Sequence, residues 1–208
     1  MILISVPHAQ PHKDVERNEI GMPLTKTMHF CDWISEYSAR MLHAMIPNSI
    51  LVINETNRRF LDGNRRESRK TPFRKNLQKI MASTDISLLI DMHSANENFF
   101  GNADVTLVCQ EMRAWADYQV SAWIKGKATL RTPNFLSPYE YEFIDALRAE
   151  NISVNIASSW PATLDIVEHA KTMNVPGILL EMNEETLTTP ADIERVISAI
   201  AKWANRIE

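Results

Sequence analysis

The sequence is short of the features that mark secreted and membrane-bound proteins. Only two cysteines occur in 208 residues, Cys31 and Cys109. Both fall in segments that read as helix and strand, so a disulfide framework is not expected and a reducing compartment is favoured. No apolar run approaches the roughly 20 residues that span a bilayer. The apolar stretch from Ile2 to Val6 lacks the basic flank and small-residue cleavage site of a secretory signal. A cytoplasmic protein without a membrane partner is the expectation. A strong charge of one sign is missing too: the net charge is −4 and the pI about 5.9, which gives no overall pull toward nucleic acid or anionic lipid. Internal repeats, low-complexity tracts and interdomain linkers are absent. With 45% hydrophobic residues to build one sizeable core, the length predicts a single domain over residues 1–208.

What is present is an alternation of short β-branched runs with longer segments of helical period, the pattern of an α/β fold. The expected architecture is a central mixed, largely parallel sheet flanked by helices. Strands are predicted at Ile2 to Val6, Ser49 to Asn54, Ile86 to Ile90, Val105 to Val108, Ile152 to Ile156 and Gly177 to Met182, with a further extended segment near Ala128 to Arg131. Helices are predicted from Thr25 to the stop at Pro47, over Pro72 to Met81, Glu111 to Ile124, Tyr139 to Glu150 and Ala162 to Met173. A last helix is capped by Thr189, with Pro190 at its first position. Thr56 to Thr71 reads as a long polar loop.

Three polar groups then fall at the carboxyl ends of predicted strands: His8, His93 and Glu181. In open α/β sheets the ligand crevice lies outside those ends, so residues far apart in sequence can converge there. Two imidazoles and a carboxylate are the donor set of a catalytic zinc site, which keeps one position for water, while a separate carboxylate can take the proton of that water. Either histidine alone reads more readily as a capped or core residue than as a ligand; the pair carries the argument. Asp91 lies on the same side as His93 if the strand persists, where it could orient the ring. For the acidic ligand, Asp14, Glu16 and Glu19 crowd the loop after His8, and Asp32 lies on the following predicted helix. His12, His29, His43 and His169 lie in settings of lesser interest, the last three read as solvated surface residues.

Nine of the 22 Lys and Arg lie between Arg58 and Lys79. Guanidinium groups grip carboxylates with paired hydrogen bonds and stabilise developing oxyanions, so the segment Asn57 to Arg65 points to an anionic substrate. The competing reading is a solvated basic loop, or an RNA contact joined by Arg66, Arg69, Lys70, Arg74 and Lys75. Against nucleic acid, only Phe60 and Phe73 offer stacking surfaces and no binding module is recognisable.

The same residues carry a likeness. Val6-Pro-His-Ala9, Cys31-Asp-Trp33, Arg58 followed by Asp62-Gly-Asn-Arg65, Ile90-Asp-Met-His-Ser94 and Leu180-Glu-Met-Asn183 form an ordered set. In it the chain resembles the N-formylglutamate amidohydrolases, relatives of the aspartoacylase group and the zinc carboxypeptidases. The resemblance implies a phosphorylase/hydrolase-like, zinc carboxypeptidase-like fold. It also implies Zn2+ held by His8, Asp32 and His93, Glu181 as general base, Arg58 as polariser of the scissile carbonyl, and Asn64 and Arg65 as binders of the substrate carboxylate. The implied reaction is hydrolysis of the amide bond of a small anionic N-acyl amino acid, for example an N-formyl acidic amino acid. Two departures stand out: Ala9-Gln10 replaces the usual small-Gly pair, and the loop Pro11 to Met22 has no counterpart, so that Glu19 is the alternative to Asp32 at the metal. Two other functions stay open, a carboxypeptidase-like peptidase and an inactive domain that binds anions or RNA.

Overall fold

A computed structural model of the chain describes residues 1–9, 18–20, 32–56, 58, 60–95, 103–108, 138–157 and 165–207. Six strands are present among these: β1 (Ile2–Val6), β2 (Ser49–Ile53), β3 (Leu88–Ala95), β4 (Val105–Val108), β5 (Val154–Ala157) and β6 (Gly177–Asn183). They form one sheet in the order β2-β1-β3-β6-β4-β5. Pairing is parallel from β2 through β6 and between β4 and β5, while β4 runs antiparallel to β6. The helices are α1 (Ser35–Met45), α2 (Pro72–Ser83), α3 (Pro138–Ala149), α4 (Asp165–Thr172) and α5 (Pro190–Ala204), with a 3-10 turn at Arg66–Lys70. The expected α/β fold with a mixed, mostly parallel sheet is therefore present. The predicted helix over Glu111 to Ile124 and the extended segment near Ala128 lie outside the described residues. No described helix is long and apolar enough to cross a membrane.

The two faces of the sheet follow from strand alternation, which sends successive side chains to opposite sides. Ile2, Ile4 and Val6 of β1 pack with Leu88, Ile90 and Met92 of β3 and Ile178, Leu180 and Met182 of β6 in a core shared with α1, α3 and α5. Its far side is closed by Trp203 against Phe143, edge to face with ring centroids 4.9 Å apart. Leu3, Leu89 and Leu179 point the other way, into a smaller core with Phe73, Leu77 and Met81 of α2 and Ile166, Val167 and Ala170 of α4. Both faces of the central strands are thus covered, which explains why they read as nearly continuous apolar runs. Sequence signals also hold at the helix ends. Thr189 and Asp192 form a capping box at the start of α5, and Thr71 accepts from the Arg74 amide ahead of Pro72.

Several boundaries differ from the prediction by a residue or two, and two larger differences bear on the site. β3 runs on to Ala95, five residues past the predicted end at Ile90, so Asp91 and His93 are strand residues on one face. α1 begins at Ser35, leaving Asp32 ahead of the helix instead of on it. The Asp32 amide donates to the His8 carbonyl at 3.1 Å. Those of Trp33 and Ile34 donate to Glu184 and Ser94.

Candidate metal centre

Chain order leaves β1 for β2 on one side and for β3 on the other, so the crevice at their carboxyl ends is a topological switch point of the kind that receives ligands. His8 lies two residues past β1. His93 sits near the end of β3, in register with Glu181 of β6, and Glu181 is in turn the partner of Thr106 on β4. By alternation His93, Asp91 and Glu181 share the α2 and α4 face. The 32–34 segment crosses the top of the sheet and supplies Asp32.

These residues converge. Asp32 Oδ2 lies 3.2 Å from His8 Nδ1 and 2.9 Å from His93 Nδ1. The two rings stand edge to face, their centroids 4.8 Å apart. All three side chains are buried, and one donor atom from each falls within 4.8 Å of the others. Such a group could hold a metal ion, and its two imidazole–carboxylate distances are near the roughly 3.3 Å that tetrahedral bonds of about 2.0–2.1 Å impose. The remaining ring nitrogens are committed elsewhere: His8 Nε2 to Asp62 Oδ1 at 2.6 Å, His93 Nε2 to Asp91 Oδ2 at 3.2 Å. A carboxylate behind each imidazole would hold a proton on Nε2 when a metal takes Nδ1; in the metal-free protein both Nδ1 atoms are hydrogen-bonded to Asp32.

Charge gives an independent test of the fit. Among the described residues four carboxyl groups, Asp32, Asp62, Asp91 and Glu181, face two guanidinium groups, Arg58 and Arg65. That acidic excess is one that a divalent cation, or protons on the imidazoles and Glu181, would offset. Burial pulls the His8 pKa down, but the adjacent Asp32 and the hydrogen bonds to Asp32 and Asp62 lift it above the ordinary value. His93 is raised well above, with burial again outweighed, here by Asp91 and Asp32. Burial acts to raise Asp32 and Asp62 as well, yet the histidines hold both far below the usual carboxylate range. Glu181 differs: burial pushes it up to about 7, against the pull of His93, and it makes no hydrogen bond to any described residue. A carboxyl group poised near neutrality beside two imidazoles is suited to proton transfer.

Arg58 and Arg65 line the rim. Arg58 is one-third exposed and reaches Asp32 Oδ1 at 3.4 Å and Asp62 Oδ2 at 3.5 Å; Arg65, more exposed, donates to Asp62 Oδ2 at 3.0 Å. Asn64 departs from the role the resemblance implies. It is wholly buried, its amide nitrogen 3.1 Å from His93 Nε2 and 3.3 Å from Asp91 Oδ2, while its oxygen accepts from the Ile166 amide at the start of α4. The structure therefore places Asn64 behind His93, one layer back from the rim. Glu19 is exposed and outside the cluster; Asp14 and Glu16 lie outside the described residues.

Several contributors escaped the sequence reading. Asp62 lay inside a noted motif without a role, and Glu184 drew no attention. Thr106 offers a buried hydroxyl with no hydrogen-bond partner among the described residues, on the strand that flanks Glu181. Ser5, which donates to Asp91 Oδ1 at 2.6 Å, looked like part of an apolar strand. The Arg cluster also divides: Arg74 is buried, binding the Gly63 carbonyl at 3.2 Å and Asp165 at 2.8 Å, and Arg69 pairs with Asp165 too. Those two cations serve the fold and are not free for a polyanion.

No family model matches the sequence, and no curated protein matches it. Solved structures do resemble the fold. A gene product of Agrobacterium tumefaciens superposes with a TM-score of 0.65 at 12% identity, covering 99% of this chain and 88% of that one. N-formylglutamate amidohydrolase from Ralstonia eutropha gives 0.58 at 10% identity, with 99% and 94% covered. The CwlD amidase from Clostridioides difficile gives 0.51 at 14%, with 99% and 96% covered. At such identities the likeness is one of fold.

Proposed function

We propose that this chain is a zinc-dependent amidohydrolase that cleaves the amide bond of a small anionic N-acyl amino acid, an N-formyl acidic amino acid being the model substrate. The observation that carries this reading is the convergence of His8 Nδ1, His93 Nδ1 and Asp32 Oδ2, with a carboxylate behind each imidazole and Glu181 alongside. The likeness of fold to an N-formylglutamate amidohydrolase and to the CwlD amidase agrees with it.

Within this reading His8, His93 and Asp32 hold the metal, and Asp62, Asp91 and Asn64 keep the two rings in place. Bound zinc supplies Lewis acidity and brings the pKa of a water molecule toward neutrality. Glu181, a buried carboxyl beside the two imidazoles, would take a proton from the attacking water and return it to the departing amine. Arg58 presents a guanidinium to the carbonyl oxygen as negative charge develops there. Arg65 at the rim grips the substrate carboxylate, a role the buried Asn64 supports from behind and does not share directly. Burial of His8, Asp32, His93 and Glu181 strengthens the charge interactions among them by lowering the local dielectric.

The test is metal analysis of purified protein joined to a release assay over formyl, acetyl and succinyl amino acids. Glu181→Gln is expected to keep the wild-type zinc content and lose turnover by at least about a hundredfold. Full activity in that variant, or wild-type protein that binds no zinc, overturns the reading.

A further inference from the structure

Glu184 is a buried carboxylate that the proposed chemistry does not use. It stands one residue past β6, and its amide continues the sheet by donating to the Ala95 carbonyl at 2.9 Å. One oxygen, Oε1, accepts two hydrogen bonds, from the Ser94 hydroxyl at 2.6 Å and from the Trp33 amide at 2.8 Å. The Ser94 hydroxyl also accepts from the Ile34 amide at 3.3 Å. Trp33 adjoins Asp32 in sequence and Ser94 adjoins His93. We infer that Glu184 is a positioning residue of the metal centre, a bracket that sets the spacing between Asp32 and His93; this rests on the metal reading above.

Local geometry supports the inference. The residue that precedes α1 is Ile34, which has no side chain able to cap a helix, and the first amides of such a segment need acceptors. Glu184 and Ser94 provide those acceptors from the end of the sheet, and a carboxylate at that spot also complements the positive end of the helix dipole. The start of α1 is thereby tied to β3 and β6. The Asp32 amide is tied in turn to the His8 carbonyl, and the Asp32 carbonyl accepts from the Ser35 hydroxyl at 2.9 Å. Asp32 Oδ2 must meet both Nδ1 atoms at once, so a shift of a few tenths of an ångström in the 32–34 backbone opens one contact or the other. Burial lifts the Glu184 carboxyl to about 7 despite its two hydrogen bonds. Whether ionised or neutral it keeps an acceptor oxygen, so glutamine is a close substitute and alanine is not.

The experiment measures affinity of the metal-stripped full chain for Zn2+ by chelator competition, with Co2+ as a visible-absorption probe of ligand geometry. Wild type is tested first: failure to bind one equivalent, or undiminished binding in His93→Ala, sinks the metal reading itself and leaves Glu184 as a fold residue. Given that binding, Glu184→Ala is expected to bind Zn2+ about tenfold more weakly with an altered Co2+ spectrum, and Glu184→Gln to stay within about twofold of wild type. Asp192→Ala, which removes the distant α5 capping box, is the control for stability alone and should keep wild-type affinity. Should Glu184→Ala fail to fold, Ser94→Ala removes one arm of the same bracket and is read the same way. Wild-type affinity and spectrum in a folded Glu184→Ala or Ser94→Ala protein overturns the inference. So does an equal loss in Asp192→Ala, or a glutamine variant as weak as the alanine one.

Discussion

Replacing Gly63 by alanine tests whether the Asp62 to Asn64 turn and the Pro7–His8 corner are locked together. Gly63 does not lie in the left-handed region, so alanine costs nothing through backbone conformation; the penalty is steric. An added Cβ meets the Pro7 carbonyl oxygen at 2.8 Å, Asn54 Nδ2 at 2.8 Å and Pro7 Cβ at 3.2 Å. The carbonyl is backbone and cannot rotate aside, and Asn54 Nδ2 already donates to that same oxygen at 2.8 Å. Relief to an ordinary contact needs a displacement of about half an ångström. Overpacking of this kind costs about 1–3 kcal/mol, and loss of the Asn54 hydrogen bond adds about 1 kcal/mol. The expected destabilisation is therefore about 2–4 kcal/mol, on the order of 10 °C in Tm for a domain of this size. Pro7 carries His8 and Gly63 sits between Asp62 and Asn64, so the same displacement parts His8 from Asp62 or Asn64 from His93. Zinc affinity should drop by about tenfold as well. Thermal unfolding of the metal-free protein and chelator competition read the two effects separately. A Gly63→Ala protein with wild-type Tm and wild-type zinc affinity would refute the claim that the turn is wedged against Pro7.

Other perturbations have equally definite outcomes. In the metal-free protein His8 and His93 have raised pKa values, so their stabilisation is complete below 6.5 and disappears as pH climbs through those values. Glu181 and Glu184, raised from 4.5 to about 7, act in the same direction across that interval. Asp32 and Asp62, lowered from 3.8, lose their contribution only on acidification through their depressed values. Tm measured in chelator should therefore peak on the acid side of neutrality and decline toward about pH 8, where added zinc, which competes with protons for the imidazoles, should restore more stability than at about pH 5.5; a flat profile would contradict the proton-for-metal balance. Arg74→Ala removes a buried guanidinium from the Gly63 carbonyl and from Asp165, which keeps Arg69 as a partner. A loss of about 2–4 kcal/mol by chemical denaturation is expected, and less than about 1 kcal/mol would mean the pair is not structural.

The sequence alone settled the fold class, because alternation, helical period and capping are local properties. The runs at Ile2 to Val6, Ile86 to Ile90 and Gly177 to Met182 each mark a buried strand, although the middle one begins only at Leu88, and Thr189-Pro190 marks the start of a helix. It also settled that His8, His93 and Glu181 lie at carboxyl ends of strands, since that follows from where each run stops. Tertiary structure decided what surrounds them. Nothing local shows that β3 continues through Asp91 and His93, because the polar residues that end the apolar run are pairing with β6, a partner 88 residues away in a register that sets Asp91 against Leu179 and His93 against Glu181. Whether Asp32 or Glu19 meets the histidines depends on where the 32–34 backbone is pinned, and the pins, Glu184 and Ser94, come from the carboxyl ends of β6 and β3, distant in sequence. Asn64 and Arg65, adjacent in sequence and equal in likeness, part company in the same way: one turns inward to His93 and Asp91, the other outward to the rim. Strand and helix periods report which face a residue occupies, but the distance between two faces, and so the chemistry of a shared site, is set by packing across the sheet.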